Sequence, residues 1–261
     1  MRPCLVSFHA HPDDEAIFTG GTIVRAVRSG WRVVLVIATS GELGVAPDWV
    51  EGDLARVRRT EAESSAGVLG IERVEFLGYR DSGVGSSERA ARPMEKLADS
   101  SVLDAAARLG RILHEEHAAV LTSYDGWGIY GHPDHIRVHE IATNAVLGTM
   151  CDLVEATVSR ATLRAVRERL IRRGLAPEMW PAPLADRVGV EATPELVTVD
   201  VSAQLPVKLR AIAAHASQVI EAPSFMGLPP GAFHHLLGVE SFRQRRTVDG
   251  RFAALVGTSA R

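Results

Sequence analysis

The residues best able to do chemistry stand in two short runs, His9-Ala10-His11-Pro12-Asp13-Asp14-Glu15 and Gly131-His132-Pro133-Asp134-His135. An imidazole and a carboxylate three residues apart, as at His11 and Asp14, can converge on one cation and leave Asp13 free beside it. Two histidines and a carboxylate with an open coordination position suit a catalytic zinc, and the same donors can hold a non-haem iron(II). Each run also has a plainer reading. Pro12 and the acids after it suit a helix start, with Asp13 as N-cap and Asp14 and Glu15 as first-turn acids. Asp134 can likewise cap a helix. Capping calls for one short polar residue and leaves the upstream histidine unexplained, and the same His-Pro-Asp grammar occurs in both runs.

The surrounding elements decide whether the two runs can meet. Cys4 to Phe8 reads as a buried strand leading into a helix from Asp13 to Ser29. Val33 to Ala38 is an unbroken apolar stretch, the pattern of a strand buried on both faces in a parallel sheet. Leu54 to Leu69 reads as an amphipathic helix ended by Gly70, and Val74 to Leu77 as a short third strand. A helix from Ser100 to His117, a strand from Ala119 to Ser123 and a helix from Asp134 to Leu147 follow. This β-α alternation predicts an α/β fold with a Rossmann-like, doubly wound, mostly parallel sheet of strand order 3-2-1-4-5. In that order the reversal falls between strands one and four, so the loops carrying the two runs face each other. The glycines of Gly78 to Ser87 lack the G-x-G-x-x-G spacing of a dinucleotide site.

The chain is expected to be a single domain over 1–261, with about 1–150 as the core half and about 151–261 as an irregular C-terminal part that shapes the pocket. Within that part, Leu153 to Val158 and Leu196 to Val201 read as strands, and Ala161 to Arg173 and Pro206 to Ser217 as helices. Prolines at 177, 181, 183, 223, 229 and 230 punctuate the segments 174–195 and 223–237, and His234-His235 is read as a surface pair, with a place in the pocket mouth the alternative. A net charge of -3 and a pI near 6.4 offer no electrostatic footprint for nucleic acid or an anionic membrane. Two cysteines make no disulfide framework, and no apolar run approaches about 18 residues. The start lacks the pattern of a signal peptide, so a cytoplasmic protein is expected, with a homo-oligomer left open.

His11-Pro12-Asp13-Asp14-Glu15 together with Gly131-His132-Pro133-Asp134-His135 resembles the LmbE/PIG-L family of zinc-dependent N-deacetylases, which includes mycothiol-pathway deacetylases and amidases. The likeness extends to Thr39-Ser40-Gly41-Glu42, Arg58 and Glu61, Tyr79 to Gly83, and Lys208 through Gln218. It implies His11, Asp14 and His135 as metal ligands, with zinc the metal and iron(II) the other candidate. It further implies Asp13 as general base, and His132 as the group that stabilises the oxyanion or protonates the leaving amine. Glu42, Arg58, Asp81 and Tyr130 become candidate substrate contacts, Asp134 an outer carboxylate on His132, and His215 a residue near the site. His9 and Glu15 are read as structural supports.

The implied substrate is a small amino sugar of the N-acetylglucosamine type. An amidase acting on a thiol conjugate is the nearest alternative, although the mycothiol-conjugate amidases carry a lysine where this chain has Phe18. An iron(II) oxygenase would use the same ligands without needing Asp13, and a non-catalytic sugar-binding protein would need neither Asp13 nor His132.

Overall fold

Among the described residues seven strands form one sheet in the order β3-β2-β1-β4-β5-β7-β6. They are β1 (Cys4–His9), β2 (Arg32–Thr39), β3 (Arg73–Tyr79), β4 (Ala118–Tyr124), β5 (Asp152–Thr157), β6 (Leu196–Asp200) and β7 (Val239–Arg246). The helices are α1 (Gly20–Arg28), α2 (Leu54–Leu69), α3 (Val102–Glu115), α4 (Pro133–Ala145), α5 (Arg160–Arg172), α6 (Leu205–Ala214) and α7 (Arg251–Val256), with shorter turns between. The structure is a computed structural model that describes residues 2–83, 95–174, 188–219 and 236–257.

β1 is central and wholly buried, pairing in parallel with β2 on one side and β4 on the other. Its side chains alternate between two cores, as the period of a strand requires. Val6 and Phe8 join Leu109 of α3 and Val138 and Ile141 of α4 on one face. Leu5 joins Ile23 of α1, Ile212 of α6 and Phe252 of α7 on the other. Full burial of side chains of this size contributes about 1.5–3 kcal/mol each. The expected order 3-2-1-4-5 is present and parallel throughout.

The C-terminal part is more regular than its sequence reads. β7 inserts between β5 and β6 and pairs antiparallel with both. Its residues, Val-Glu-Ser-Phe-Arg-Gln-Arg-Arg, carry too many charges to read as a strand. The predicted helix from Asp13 begins instead at Glu15 as a single π turn to Thr19 and becomes α-helical at Gly20. The break has a cause: the N-terminal amides of Gly21 and Thr22 are capped from afar by Glu240 of β7, at 2.7 and 2.9 Å. The helix expected to run to Ser217 stops at Ala214, where His215 leaves helical geometry, and a short turn from Ala216 to Val219 follows. Pro177, Pro181, Pro183, Pro223, Pro229, Pro230 and His234-His235 lie outside the described residues. Cys4 and Cys151 are free and buried. Among the described residues no helix is long and apolar enough to cross a membrane.

Candidate active site

The loops after β1 and β4 meet at the reversal of strand order. Ring centroids of His11 and His132 stand 4.6 Å apart, and those of His11 and His135 5.3 Å. His132 is the N-cap of α4: its Nδ1 accepts the Asp134 amide at 3.1 Å, with Pro133 in the first helical position. The helix is therefore capped by the histidine and not by Asp134. Gly128, at φ +64, allows the preceding turn to press against His135, where a Cβ would collide with the histidine.

Asp14 joins the two loops. Its Oδ2 lies 3.5 Å from His11 Nδ1 and 3.4 Å from His135 Nε2. It also accepts hydrogen bonds from the Tyr124 hydroxyl at 2.8 Å and the His11 amide at 3.0 Å. Tyr124, fully buried at the end of β4, stacks on His135 with centroids 4.2 Å apart and rings 11° from parallel. His135 Nδ1 has no hydrogen-bond partner among the described residues, so the ring is oriented by this stacking and by the contacts of its Nε2. His11 Nε2 donates to Asp134 Oδ2 at 3.2 Å, which in the neutral ring leaves the Nδ1 lone pair facing Asp14. Asp134 thus supports His11 through its carboxylate, whereas the sequence reading attached it to His132. Both Asp134 oxygens are further held by Ser82, through its amide at 2.9 Å and its hydroxyl.

These donors fit a divalent cation. Atoms bound to one tetrahedral zinc at about 2.0–2.2 Å stand about 3.3–3.6 Å apart, and the two Asp14 separations fall in that range. The charge balance agrees. Burial alone would lower the His11 pKa, but hydrogen bonds with Asp134, Asp14 and Asp81 hold it well above the usual histidine value. Burial would raise Asp14, yet the neighbouring His135 and His11 keep it well below the usual carboxylate range. The centre calls for positive charge. The groupings among the described residues whose ligand atoms all lie within 4.8 Å of one another are His11 with His132 and His135, and His11 with Asp81, His132 and Asp134; Asp14 is in neither, and its link to the centre is the pair of contacts to His11 and His135. In the second, Asp134 is engaged by Ser82, and Asp81 by the amides of Leu43 and Gly83 at 3.2 and 2.8 Å. In both, His132 Nδ1 is already an acceptor.

Asp13 sits beside this centre with its side chain 21% exposed and its backbone at φ 111. Burial raises its pKa to about 6, against the opposing pull of Arg58. Arg58 Nη2 lies 3.3 Å from Asp13 Oδ2 and donates to the Pro12 carbonyl at 2.6 Å, while Nη1 donates to the Gly41 carbonyl at 2.7 Å. Gly41, at φ +63, has no room for a Cβ against that guanidinium. Burial, then the charges of His11 and His135, push His132 down to about 4.

A cavity of about 690 Å³ opens on these residues. On the β2–β3 side its wall includes Leu43, Val45, Arg58, Asp81 and Gln218; on the β5–β7 side apolar Val158, Leu163 and Leu237 alternate with Thr157, Ser159 and Ser241. Tyr130 lines it, 43% exposed, with its hydroxyl 3.4 Å from His135 Nε2. Glu42 is not part of the wall; its carboxylate accepts from the Asp81 amide at 3.3 Å. His215 is fully buried behind the site, on Glu15 at 2.7 Å. His9, also buried, bonds Tyr124, Thr19 and Ser7.

Ser82 carries no assigned role in sequence beyond falling within the likeness over Tyr79 to Gly83, and the signal for Tyr124 is its position, at the end of the strand before the second motif loop. The buried pair Lys208 Nζ and Glu240 Oε1, 2.7 Å apart, had no signal from Glu240 at all.

A sequence model of the family described as PIG-L, GlcNAc-PI de-N-acetylase, matches residues 6–146. The chain is 36% identical over 232 residues to the 1D-myo-inositol 2-acetamido-2-deoxy-alpha-D-glucopyranoside deacetylase of Actinosynnema mirum, covering 83% of this chain and 81% of that one. To the enzyme of the same name from Thermobifida fusca it is 33% identical over 261 residues, covering 91% of each. Among solved structures, the zinc-inhibited form of the teicoplanin deacetylase Orf2 superposes with a TM-score of 0.62 at 16% identity, covering 94% of this chain and 99% of that one. N,N'-diacetylchitobiose deacetylase from Pyrococcus horikoshii, in complex with its inhibitor MPG, gives 0.55 at 24% identity, covering 88% and 73%. At those identities the two structures attest a shared fold.

Proposed function

The chain belongs to the PIG-L (GlcNAc-PI de-N-acetylase) family, and from that premise we propose that this amide-hydrolysing enzyme is a zinc-dependent deacetylase of an N-acetylglucosamine-type sugar or glycoside. The observation that carries the reading is the convergence of His11, Asp14 and His135 beside a carboxylate, Asp13, that serves none of their contacts. The names of the curated relatives favour an inositol-linked glucosaminide as substrate. The single-domain reading of 1–261 is supported by the bonds from Glu240 to α1 and from His215 to Glu15.

His11, Asp14 and His135 would hold the metal, which when bound lowers the pKa of a water to about 7 and polarises the amide carbonyl. Asp13 takes a proton from the attacking water; with a pKa near 6 it is largely ionised at neutral pH yet basic enough to accept it. His132 is uncharged at neutral pH, and its Nδ1 already accepts the Asp134 amide, so its proton resides on Nε2. That N–H would donate to the oxygen of the tetrahedral intermediate. Asp13 then returns its proton to the nitrogen, and acetate and a free amine leave. Arg58, Asp81 and Gln218 offer polar groups of the cavity wall to sugar hydroxyls.

The apolar residues of the β5–β7 wall, Val158, Leu163, Val188, Leu237 and Val239, favour a second reading, an amidase on a thiol conjugate with an apolar substituent. One panel separates the two. Amine release is followed from N-acetylglucosaminides, including an inositol-linked one, and from thiol conjugates, with zinc-loaded and chelated protein. Chelator-sensitive release from the glucosaminides is expected; release confined to the thiol conjugates would transfer the assignment, and no release from metal-loaded protein would remove both.

A further inference from the structure

Asp13 is a non-glycine residue at φ 111, a conformation that persists in an L residue only where its surroundings impose it. What imposes it here is a buried carboxylate. The Asp13 amide donates to Glu15 Oε2 at 3.0 Å. Glu15 is itself fully buried, and its Oε1 accepts from Ser65 Oγ of α2 at 2.6 Å and from His215 Nε2, beyond α6, at 2.7 Å.

An ordinary helix start satisfies its amides with water or one short capping side chain. Here two elements distant in sequence converge on one glutamate, and the amide it receives belongs to the strained residue. Arg58 completes the hold from the other side, on the Pro12 carbonyl and the Asp13 carboxylate.

We propose that Glu15 and His215 form a positioning pair that locks the strained backbone of Asp13 and so aims its carboxylate at the reacting water. Neither touches substrate. The inference rests on the reading of Asp13 as general base and assigns the C-terminal segment a part in catalysis through its histidine.

The test is a double-mutant cycle with a structural readout. Glu15→Gln keeps one acceptor oxygen, which cannot serve the Asp13 amide on one side and the donors Ser65 Oγ and His215 Nε2 on the other. It is expected to lower kcat about 10- to 100-fold, the order that misplacing a catalytic group costs, with KM and bound zinc unchanged. In an Asp13→Ala background the same change is expected to cost nothing further. A crystal structure of Glu15→Gln is expected to show residue 13 relaxed from positive φ with the metal ligands in place. Equal losses in both backgrounds, loss of zinc, or an unrelaxed residue 13 would overturn the pair. Where Glu15→Gln fails to fold, His215→Gln carries the same expectations. Unchanged turnover of Asp13→Ala alone would instead remove the general-base reading beneath the proposal.

Discussion

The Tyr124 hydroxyl donates to Asp14 Oδ2 at 2.8 Å while its ring stacks on His135, so one side chain at the end of β4 orients two proposed ligands from different loops. Tyr124→Phe keeps the stacking and removes the donor. It is expected to weaken zinc binding about 10- to 100-fold, as loss of an outer contact to a ligand does. Competition with a chelator of known affinity measures the change.

The choice of carboxylate ligand is open to a direct comparison. Asp14→Asn is expected to abolish stoichiometric zinc, because Asp14 touches both His11 and His135, whereas Asp81→Asn, at a residue that touches His11 alone of the two, is expected to retain it. Metal analysis after dialysis decides; loss of zinc from Asp81→Asn and retention in Asp14→Asn would reassign the ligand set.

Asp13→Ala is expected to lower turnover about 10²- to 10⁴-fold, the usual contribution of a general base, with zinc retained. Metal removal should have a separate signature in stability. Zinc at a hundredfold excess over its Kd is expected to stabilise the fold by about 2.7 kcal/mol, read as a thermal shift between zinc-loaded and chelated protein.

Lys208 and Glu240 are both 1% exposed and pair at 2.7 Å. Glu240 also caps α1. Lys208→Met leaves that carboxylate without its cation in the core and is expected to cost about 3–5 kcal/mol, measured by denaturant unfolding.

His139 Nδ1 lies 3.2 Å from Glu155 Oε1, and that contact raises the His139 pKa against the effect of burial. Arg245, 3.7 Å from the same Glu155 oxygen, opposes the rise. A folded-state pKa above the unfolded value of about 6.5 means the stabilisation is fully present below that pH. It is lost as pH rises through the folded value. Unfolding free energy is therefore expected to fall on going from mildly acidic to mildly alkaline pH, and Glu155→Gln is expected to flatten that dependence.

Much of this protein is determined locally. The unbroken apolar run of β2 needs no partner to be read as a buried strand, and α2 begins and ends where its periodicity and Gly70 require. The β-α alternation then orders the first five strands, and that order alone brings the two His-Pro-Asp loops together. The short-range chemistry of the site, His11 with Asp14 and His132 with Asp134, is written at fixed spacings.

Tertiary structure decided what depends on partners distant in the chain. A charged segment became β7 because β5 and β6 flank it on both sides. Asp134 reached His11 and Ser82, residues of the opposite loops, in place of His132, its sequence neighbour. Asp13 took a backbone conformation that its own side chain disfavours, because Glu15, Ser65, His215 and Arg58 together hold it there. Local sequence sets periodicity and caps, whose energies arise between near neighbours. Where a buried carboxylate finds its proton donors depends on which distant elements the packed sheet brings alongside it, and only the folded chain specifies that.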